Sequence, residues 1–513
     1  MIHRFDTIYK CLLNNGMEKL AWYLKNLKND ENRVQEYCKL LDDLSSIDID
    51  YLMKIYEISK TSMSEKYHLI PPKRIVWEEC NTIEQAKKCI EITKDNIKDE
   101  RCLITDIKTI PKGIYDYIYQ EGIDLIKNGK VGIIIMSGGD GTRLGWNGPK
   151  GTYPIGIVSK KSLFQIMCER IICLTRICKA DENKIPLYIM TSSSNYSAIS
   201  EFFKLNKNFG LKEENVILFK QSMLPCIDIN SKSLMLSNIS TINKSPNGNG
   251  GIFASMKEQG VIKDMKRRGI KYIFISTVDN PLCKIADPLF IGYSHTFNLD
   301  IATKTVARLD PLEKVGCLAQ KIYKNVMNTS SEDCKLLMPC IVEYTEMGDE
   351  INNSINEDTG EMLFSHGSIA IHNMKLTFVE EMGDKEFVYH QAIKKIPFYD
   401  LDTNKIIQPK DVNGVKLELF IFDCFKFANK VYGLEVLRSD EFAPIKSSTG
   451  QDTPTNCQKI MSELYRDFLL KVNSIICNSV KYIEISPLVS YSGEGLEHLK
   501  MQIFDQEYVE ISE

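Results

Sequence analysis

No stretch of the chain approaches the roughly 20 consecutive apolar residues that a bilayer-spanning helix needs. The longest apolar runs, such as Val131–Met136, fall far short, which excludes a membrane-embedded protein. The opening MIHRFDTIYKCLLNNGMEKL breaks its apolar residues with charges every few positions, so it lacks the apolar centre of a secretory leader. The 16 cysteines include no CxxC pair and no paired spacing of the zinc-binding kind. Cys168, Cys173 and Cys178 lie at five-residue spacing in an apolar helical stretch, where free thiols behave as small hydrophobes. A disulfide framework is not expected in a chain with so much core material. The seven histidines form no HExxH or other ligand pattern. An excess of one charge is missing as well. Lys plus Arg number 64 against 68 for Asp plus Glu, a net charge of −4, and no half or tail is strongly basic. That argues against a dedicated nucleic-acid binder. No internal repeat is visible. These absences lead to the expectation of a cytosolic protein without nucleic-acid or membrane partners.

What is present is an ordinary globular mix, 43% hydrophobic and 26% charged over 513 residues. At roughly 100–200 residues per domain this suggests two to four domains. Apolar residues recur every three or four positions in Lys10–Asn29 and Val34–Ser59, predicting helices. The acidic pair in Asp48–Asp50 falls between helical patterns and reads as a cap. Pro71-Pro72 and Asn81-Thr82 punctuate the stretch that follows. From Gly129 the pattern changes to short β-branched runs alternating with helical ones: VGIIIM, SLFQIMCERIICLTRICK, PLYIMTSS, NYSAISEFFKLN, NVILFKQ and KYIFISTVDN. Such alternation predicts an α/β fold with a doubly wound, mostly parallel, Rossmann-like sheet. Ligands of such sheets bind beyond the carboxyl ends of the strands. A second β-rich stretch begins near Asp300, Asn325–Lys335 reads as a polar insertion, and a helix over Cys457–Val472 leads into a last β-containing unit. The resulting division is a helical N-terminal domain over 1–105, a central α/β domain over 106–410 and a small C-terminal domain over 411–513.

The most specific element is IIIMSGGDGTRLGWNGPK, ending at Lys150. A strand runs into Gly138, Gly139 and Gly141, whose missing side chains let backbone N–H groups approach a phosphate. Arg143 can fork onto phosphate oxygens and Lys150 adds a point charge. The Walker spacing is absent. The Asp400–Asp402 pair lies in IPFYDLDTNKII and reads as a turn between two strands.

GGDGTRLGWNGPKG resembles the signature of the nucleotide-diphosphate-sugar pyrophosphorylases. FKQSMLPCID, SPNGNGGIF, STVDNPLCKIADPLFIGY, VEYTEM, HQAIKKIPFYD, KLELFIFDCFKFA, EVLRSDEFAPIK and EISPLVSYSGEGLE follow in order from Phe219 to Glu497. Together they resemble the eukaryotic UDP-N-acetylhexosamine pyrophosphorylases. The resemblance implies Mg²⁺-dependent conversion of UTP and N-acetylglucosamine 1-phosphate to UDP-N-acetylglucosamine and pyrophosphate, by a monomer or homodimer. It implies that Arg143 and Lys150 meet the pyrophosphate part and that Lys416 and Lys446 reach the phosphates. It implies a uracil site at Gln221 with Ser137, Gly138, Gly139 and Gly248. Asn249, Gly250, Glu343 and Ser368 fall at sugar positions, and Asp279, ending YIFISTV, at the metal position.

The chain also departs from that pattern. Asp140 stands where the family's GGQGTRLG has Gln, so a carboxylate either points to solvent or meets the metal. FSHGSIAIH replaces FNAGNIANH, which puts Ser368 and Ile371 where the family has Asn. A serine hydroxyl is shorter than an amide and cannot offer both its donor and its acceptor. Glucose 1-phosphate, N-acetylgalactosamine 1-phosphate or a broad sugar range therefore remains open. A UDP-sugar-dependent glycosyltransferase and a non-catalytic nucleotide-sugar binder are readings from other classes.

Overall fold

The computed structural model describes residues 2–61, 67–77, 82–88, 101–181, 184–323, 337–357 and 360–512; the insertion read at Asn325–Lys335 lies outside them. The chain forms two compact units, each discontinuous in sequence. The smaller gathers Met1–Lys66, Gln221–Ile252 and Lys385–Asp423, and the larger Tyr67–Lys220, Phe253–Asp384 and Cys424–Glu513. This differs from the contiguous division at 105 and 410. Proximity, not chain order, defines a unit, and the chain leaves and re-enters each one.

In the smaller unit four helices, Ile2–Asn14, Glu18–Asn29, Val34–Ser45 and Ile49–Thr61, carry the predicted periodicity. Each of the two expected helices is broken once. Gly16 adopts a φ of 71° between the first pair, a conformation that costs glycine little. Asp48 caps the fourth helix by accepting from the Tyr51 N–H at 2.9 Å. Leu12, Leu20, Leu24, Leu40 and Leu44 pack with Ile227, Leu236, Tyr399 and Leu417 from small antiparallel strands in one core. Phe398–Asp400 and Lys405–Ile407 form a hairpin. Asp400 accepts there from the Thr403 hydroxyl at 2.7 Å and its N–H at 3.1 Å, so this acidic pair serves a turn.

The larger unit is built on a mostly parallel sheet. Its main path runs Lys73–Arg74, Cys102–Asp106, Val431–Glu435, Ile301–Ala307, His366–Lys375, Tyr272–Thr277, Val131–Met136, Leu187–Thr191 and Val216–Lys220 from edge to edge, and only His366–Lys375 is antiparallel to its neighbours. Cys317–Tyr323, Leu337–Val342 and Tyr67–Ile70 extend it in antiparallel pairing. The stretch 67–77, which falls in the region read as helical, thus contributes strands. Val131–Met136 and Leu187–Thr191 are buried throughout, as strands covered on both faces must be. Helix Leu163–Ile177 starts at Ser162, whose hydroxyl accepts from the Gln165 N–H, and buries Cys168 and Cys173; Cys178 is buried at its end. The C-terminal helix Pro454–Lys471 and the strands Tyr482–Ile485 and Tyr508–Ile511 pair and pack into the same apolar core as the sheet. His372 is buried at the sheet centre, and burial pushes its pKa down to about 3, so it is a neutral structural residue. Among the described residues no helix is long and apolar enough to cross a membrane, and no group of His, Cys, Asp and Glu forms a ready metal cluster.

Candidate active site

Strands Val131–Met136 and Tyr272–Thr277 are parallel neighbours in register from Tyr272–Val131 to Thr277–Met136. Their carboxyl ends therefore emerge side by side, and the two best sequence candidates sit there. Ser137, at the end of the first strand, is buried, and its backbone is held on both sides. Its N–H donates to Met190 and its carbonyl accepts from the Asn195 amide at 3.1 Å. Gly138 and Gly139 follow as the chain comes to the surface. The loop returns on itself: the Gly141 N–H donates to Gly148 and the Lys150 N–H to Gly139. A Cβ at Gly141 would lie 2.7 Å from the Trp146 side chain, so the ring that supports the loop requires glycine there. Asp140 is exposed and pairs through its backbone with Pro149. Arg143 is exposed on the short helix Thr142–Leu144.

Asp279 lies just past the end of the second strand. One of its oxygens accepts from the Thr277 hydroxyl at 2.6 Å. The other lies 3.6 Å from the Lys150 ammonium. The segment bearing Lys446 closes the group. The Ile445 N–H donates to the Asp279 carbonyl, and the Ser448 N–H to that of Arg143. Lys150 Nζ also donates to the Ile445 carbonyl at 3.2 Å. Lys446 is half-exposed and pairs with Asp452 at 3.2 Å. Ser137, Gly138, Gly139, Arg143, Lys150, Asp279 and Lys446 are thus carried by loops at one edge of one unit, with Lys150 paired to Asp279 and Lys446 to Asp452. Mg²⁺ keeps several waters and takes one or two carboxylates together with substrate phosphates. Asp279, a hard-oxygen carboxylate at a strand end with Lys150 beside it, fits that donor set.

The sugar candidates of the same unit also meet. The Ser368 N–H donates to the Gly316 carbonyl at 2.8 Å. A Cβ on Gly316 would come within 3.2 Å of Glu343 Oε1, so Gly316 sits between the two. Thr305, opposite Ser368 in the sheet, has a buried hydroxyl without a hydrogen-bond partner. Ile371 is buried in the core and cannot take over the polar role of an amide.

Gln221, Gly248, Asn249, Gly250 and Lys416 belong to the smaller unit. There Gln221 Nε2 donates to the Gly248 carbonyl. Gly248 has a φ of 84° and Gly250 donates to Leu419. Side chains at Gly248 and Gly250 would strike the backbone of Leu419 and Phe420 at 2.2 and 2.5 Å. The loop is therefore glycine-rich for packing as well as for open approach. Asn249 Oδ1 accepts from the Ile421 N–H at 3.0 Å, so its carbonyl side is already engaged. Lys416 lies in the strand Gly414–Glu418, opposite Ala392.

Residue-by-residue reading missed Asn280, Gly316 and Asn247. Asn280 adjoins Asp279 in TVDN, and that adjacency is the only local hint. Asn247 connects its loop to Ser222 and Leu419 by backbone hydrogen bonds. Gly316 has no local signal.

The carboxyl edge of a mostly parallel sheet, with a glycine-and-cation loop beside a carboxylate at the end of the next strand, is the place where open α/β sheets take their ligands. The chain belongs to the UTP–glucose-1-phosphate uridylyltransferase family, whose profile matches residues 81–506. UDP-N-acetylglucosamine diphosphorylase 2 of Arabidopsis thaliana is 33% identical over 485 residues, spanning 91% of this chain and 87% of that protein. The UDP-N-acetylglucosamine pyrophosphorylase of Saccharomyces cerevisiae is 38% identical over 392 residues, 75% and 79% of the two chains. The crystal structure of a putative UDP-N-acetylglucosamine pyrophosphorylase from Entamoeba histolytica matches with a TM-score of 0.69 and 32% identity, over 77% of this chain and 96% of that one. The uridine diphosphate N-acetylglucosamine pyrophosphorylase of Trypanosoma brucei, solved with an inhibitor, shares the fold at a TM-score of 0.73 over 99% and 98% of the chains, with 24% identity.

Proposed function

We propose that the protein transfers uridylyl from UTP to N-acetylglucosamine 1-phosphate, forming UDP-N-acetylglucosamine and pyrophosphate with Mg²⁺. The observation that carries this reading is the Asp279–Lys150 pair at the ends of two adjacent parallel strands, beside the Gly138–Gly139 loop. In the reaction an oxygen of the sugar phosphate attacks the α-phosphorus, and the bond to the bridging oxygen of pyrophosphate breaks in line. No covalent enzyme intermediate is needed, so catalysis rests on positioning and charge neutralisation. Asp279 would hold Mg²⁺, which supplies positive charge at the α-phosphate when bound. Arg143, Lys150 and Lys446 take up the growing charge of the pyrophosphate, and Lys416 is the fourth cation of this reading. Ser137, Gly138, Gly139, Gln221 and Gly248 bind the uridine, and Asn249, Gly250, Glu343 and Ser368 the sugar. We place the enzyme in the cytosol as a monomer or homodimer, with the 411–513 segment supplying Lys416 and Lys446.

The test is pyrophosphate release from UTP and Mg²⁺ with N-acetylglucosamine, N-acetylgalactosamine and glucose 1-phosphates in parallel. Strong preference for N-acetylglucosamine 1-phosphate is the expected result. No release with any of the three would overturn the reading in favour of a glycosyltransferase or a binder.

One observation favours a broader sugar range. Ser368 offers a single hydroxyl, opposite Thr305 in the sheet and on a backbone bonded to Gly316, which adjoins Glu343. If this position limits selectivity, Ser368→Asn shifts the ratio of kcat/KM values toward N-acetylglucosamine 1-phosphate by about tenfold, the worth of one good hydrogen bond. An unchanged sugar profile would show that the serine is harmless.

A further inference from the structure

Lys304 lies in the middle of the strand Ile301–Ala307 and is fully buried, a rare place for an ammonium group unless it is paired. Its Nζ donates to Asp287 at 2.6 Å and to Glu441 at 2.5 Å. Burial by itself would push the ammonium pKa down, but the two carboxylates outweigh it and hold the group above the ordinary lysine value. Glu441 is buried too, and Lys284 approaches its other oxygen at 3.7 Å. Such a cluster adds little net stability, because desolvation of the charges offsets their attraction. What it does is restrict geometry.

The geometry it restricts leads to the phosphate group. Asn280, which is buried, donates from Nδ2 to the Glu441 carbonyl at 2.6 Å and accepts from the Ala443 N–H at 3.1 Å. Two residues on, the Ile445 N–H reaches the Asp279 carbonyl at 2.9 Å and the Ile445 carbonyl receives Lys150 at 3.2 Å. The next residue is Lys446. A continuous set of contacts therefore runs from the buried ammonium, through Glu441 and Asn280, to the segment that carries Lys446 and is bonded to Asp279 through Ile445. Misplacement of a charge by about 1 Å can cost a hundredfold in rate, so a buried clamp here has a use that stability alone does not explain.

We infer that Glu441, held by Lys304 and clasped by Asn280, is a positioning residue that sets the 441–446 segment, and with it Lys446, at the height of Asp279. The inference rests on the phosphate-binding reading of Asp279, Lys150 and Lys446 given above. It extends the functional set to three residues that touch no substrate.

Two full-length variants test it. Glu441→Gln keeps the volume and a hydrogen bond to Lys304, while Asp287 still pairs the ammonium. Asn280→Ala leaves the ion cluster whole and removes both contacts to the segment. Each is titrated calorimetrically with inorganic pyrophosphate in the presence of Mg²⁺, and separately with N-acetylglucosamine 1-phosphate. The expected result is a rise of fivefold or more in the pyrophosphate Kd for both variants, with the sugar-phosphate Kd within twofold. A merely structural role would lower the number of competent sites and leave both Kd values alone. A pyrophosphate Kd within twofold of the unaltered protein, in either variant that folds, overturns the inference. If Glu441→Gln does not fold, Asn280→Ala decides. Binding needs no turnover, so an unaltered protein that binds pyrophosphate without reacting would overturn the proposed reaction alone. An unaltered protein that does not bind pyrophosphate would overturn the phosphate-site reading and the inference with it.

Discussion

Asp279→Ala is expected to lower kcat by at least about a hundredfold while the protein remains folded. The side chain is partly exposed and makes one hydrogen bond, to Thr277, and one ion pair, to Lys150. Its removal leaves no buried charge uncompensated, so the fold loses little. The chemistry loses much more. A metal on a phosphoryl oxygen is worth several kcal/mol of transition-state charge stabilisation, and about 3 kcal/mol already exceeds a hundredfold. Loss of the carboxylate also leaves Lys150 free to turn toward other acceptors. The check is kcat across a Mg²⁺ series, alongside a thermal melt of the same preparation. Near-normal turnover at ordinary Mg²⁺ would remove Asp279 from the metal role. A loss recovered by high Mg²⁺ would confirm that the carboxylate acts through metal affinity.

Gly122→Leu and Gly292→Leu are expected to give the largest stability losses among single substitutions in the larger unit. Helix Lys112–Lys127 and helix Pro288–Thr296 pack backbone against backbone. A Cβ on Gly122 would lie 1.8 Å from the Pro288 carbonyl oxygen, and one on Gly292 would lie 1.8 Å from that of Ile118. Backbone cannot rotate aside as a side chain can, so the helices must separate. Overpacking a tight core costs about 1–3 kcal/mol and occasionally more, and a separation felt along both helices puts these variants at or above the upper figure. Gly113, in the first turn of the same helix, faces open space: a Cβ there would have nothing within 4 Å. Gly113→Ala should be neutral or stabilising by up to about 1 kcal/mol through helix propensity. Urea midpoints of the three variants decide the matter. A Gly122→Leu midpoint equal to that of Gly113→Ala would mean that the helix contact is looser than these distances require.

Much of the site is written locally. An apolar strand running into Gly138, Gly139, Arg143 and Lys150 is recognisable because strand, turn and charge fall within a few residues of one another. The same holds for Asp279 at the end of its strand, and for the acidic pairs at Asp48–Asp50 and Asp400–Asp402, which cap a helix and shape a turn. The domain division was less legible. The chain supplies each compact unit in three passes, and composition along the sequence does not record where a later segment returns. Gly122 and Gly292 look like ordinary interior glycines until the two helices are placed together. Lys304 looks like any lysine in a β-branched run. Only the arrival of Asp287 and Glu441 explains why it is tolerated in the core.

By itself the sequence pointed to the fold and the class of enzyme: a mostly parallel sheet, with the glycines, cations and carboxylate of a candidate phosphate site at defined strand ends. It could do so because hydrogen-bonding needs, side-chain periodicity and backbone freedom act over a few residues. Tertiary structure alone decided that Lys150 meets Asp279, that Gly316 lies between Glu343 and Ser368, and that Glu441 carries the Lys446 segment on a buried ammonium. Those contacts join residues tens to hundreds of positions apart, and their energy depends on packing and desolvation, which leave no periodic trace in the chain.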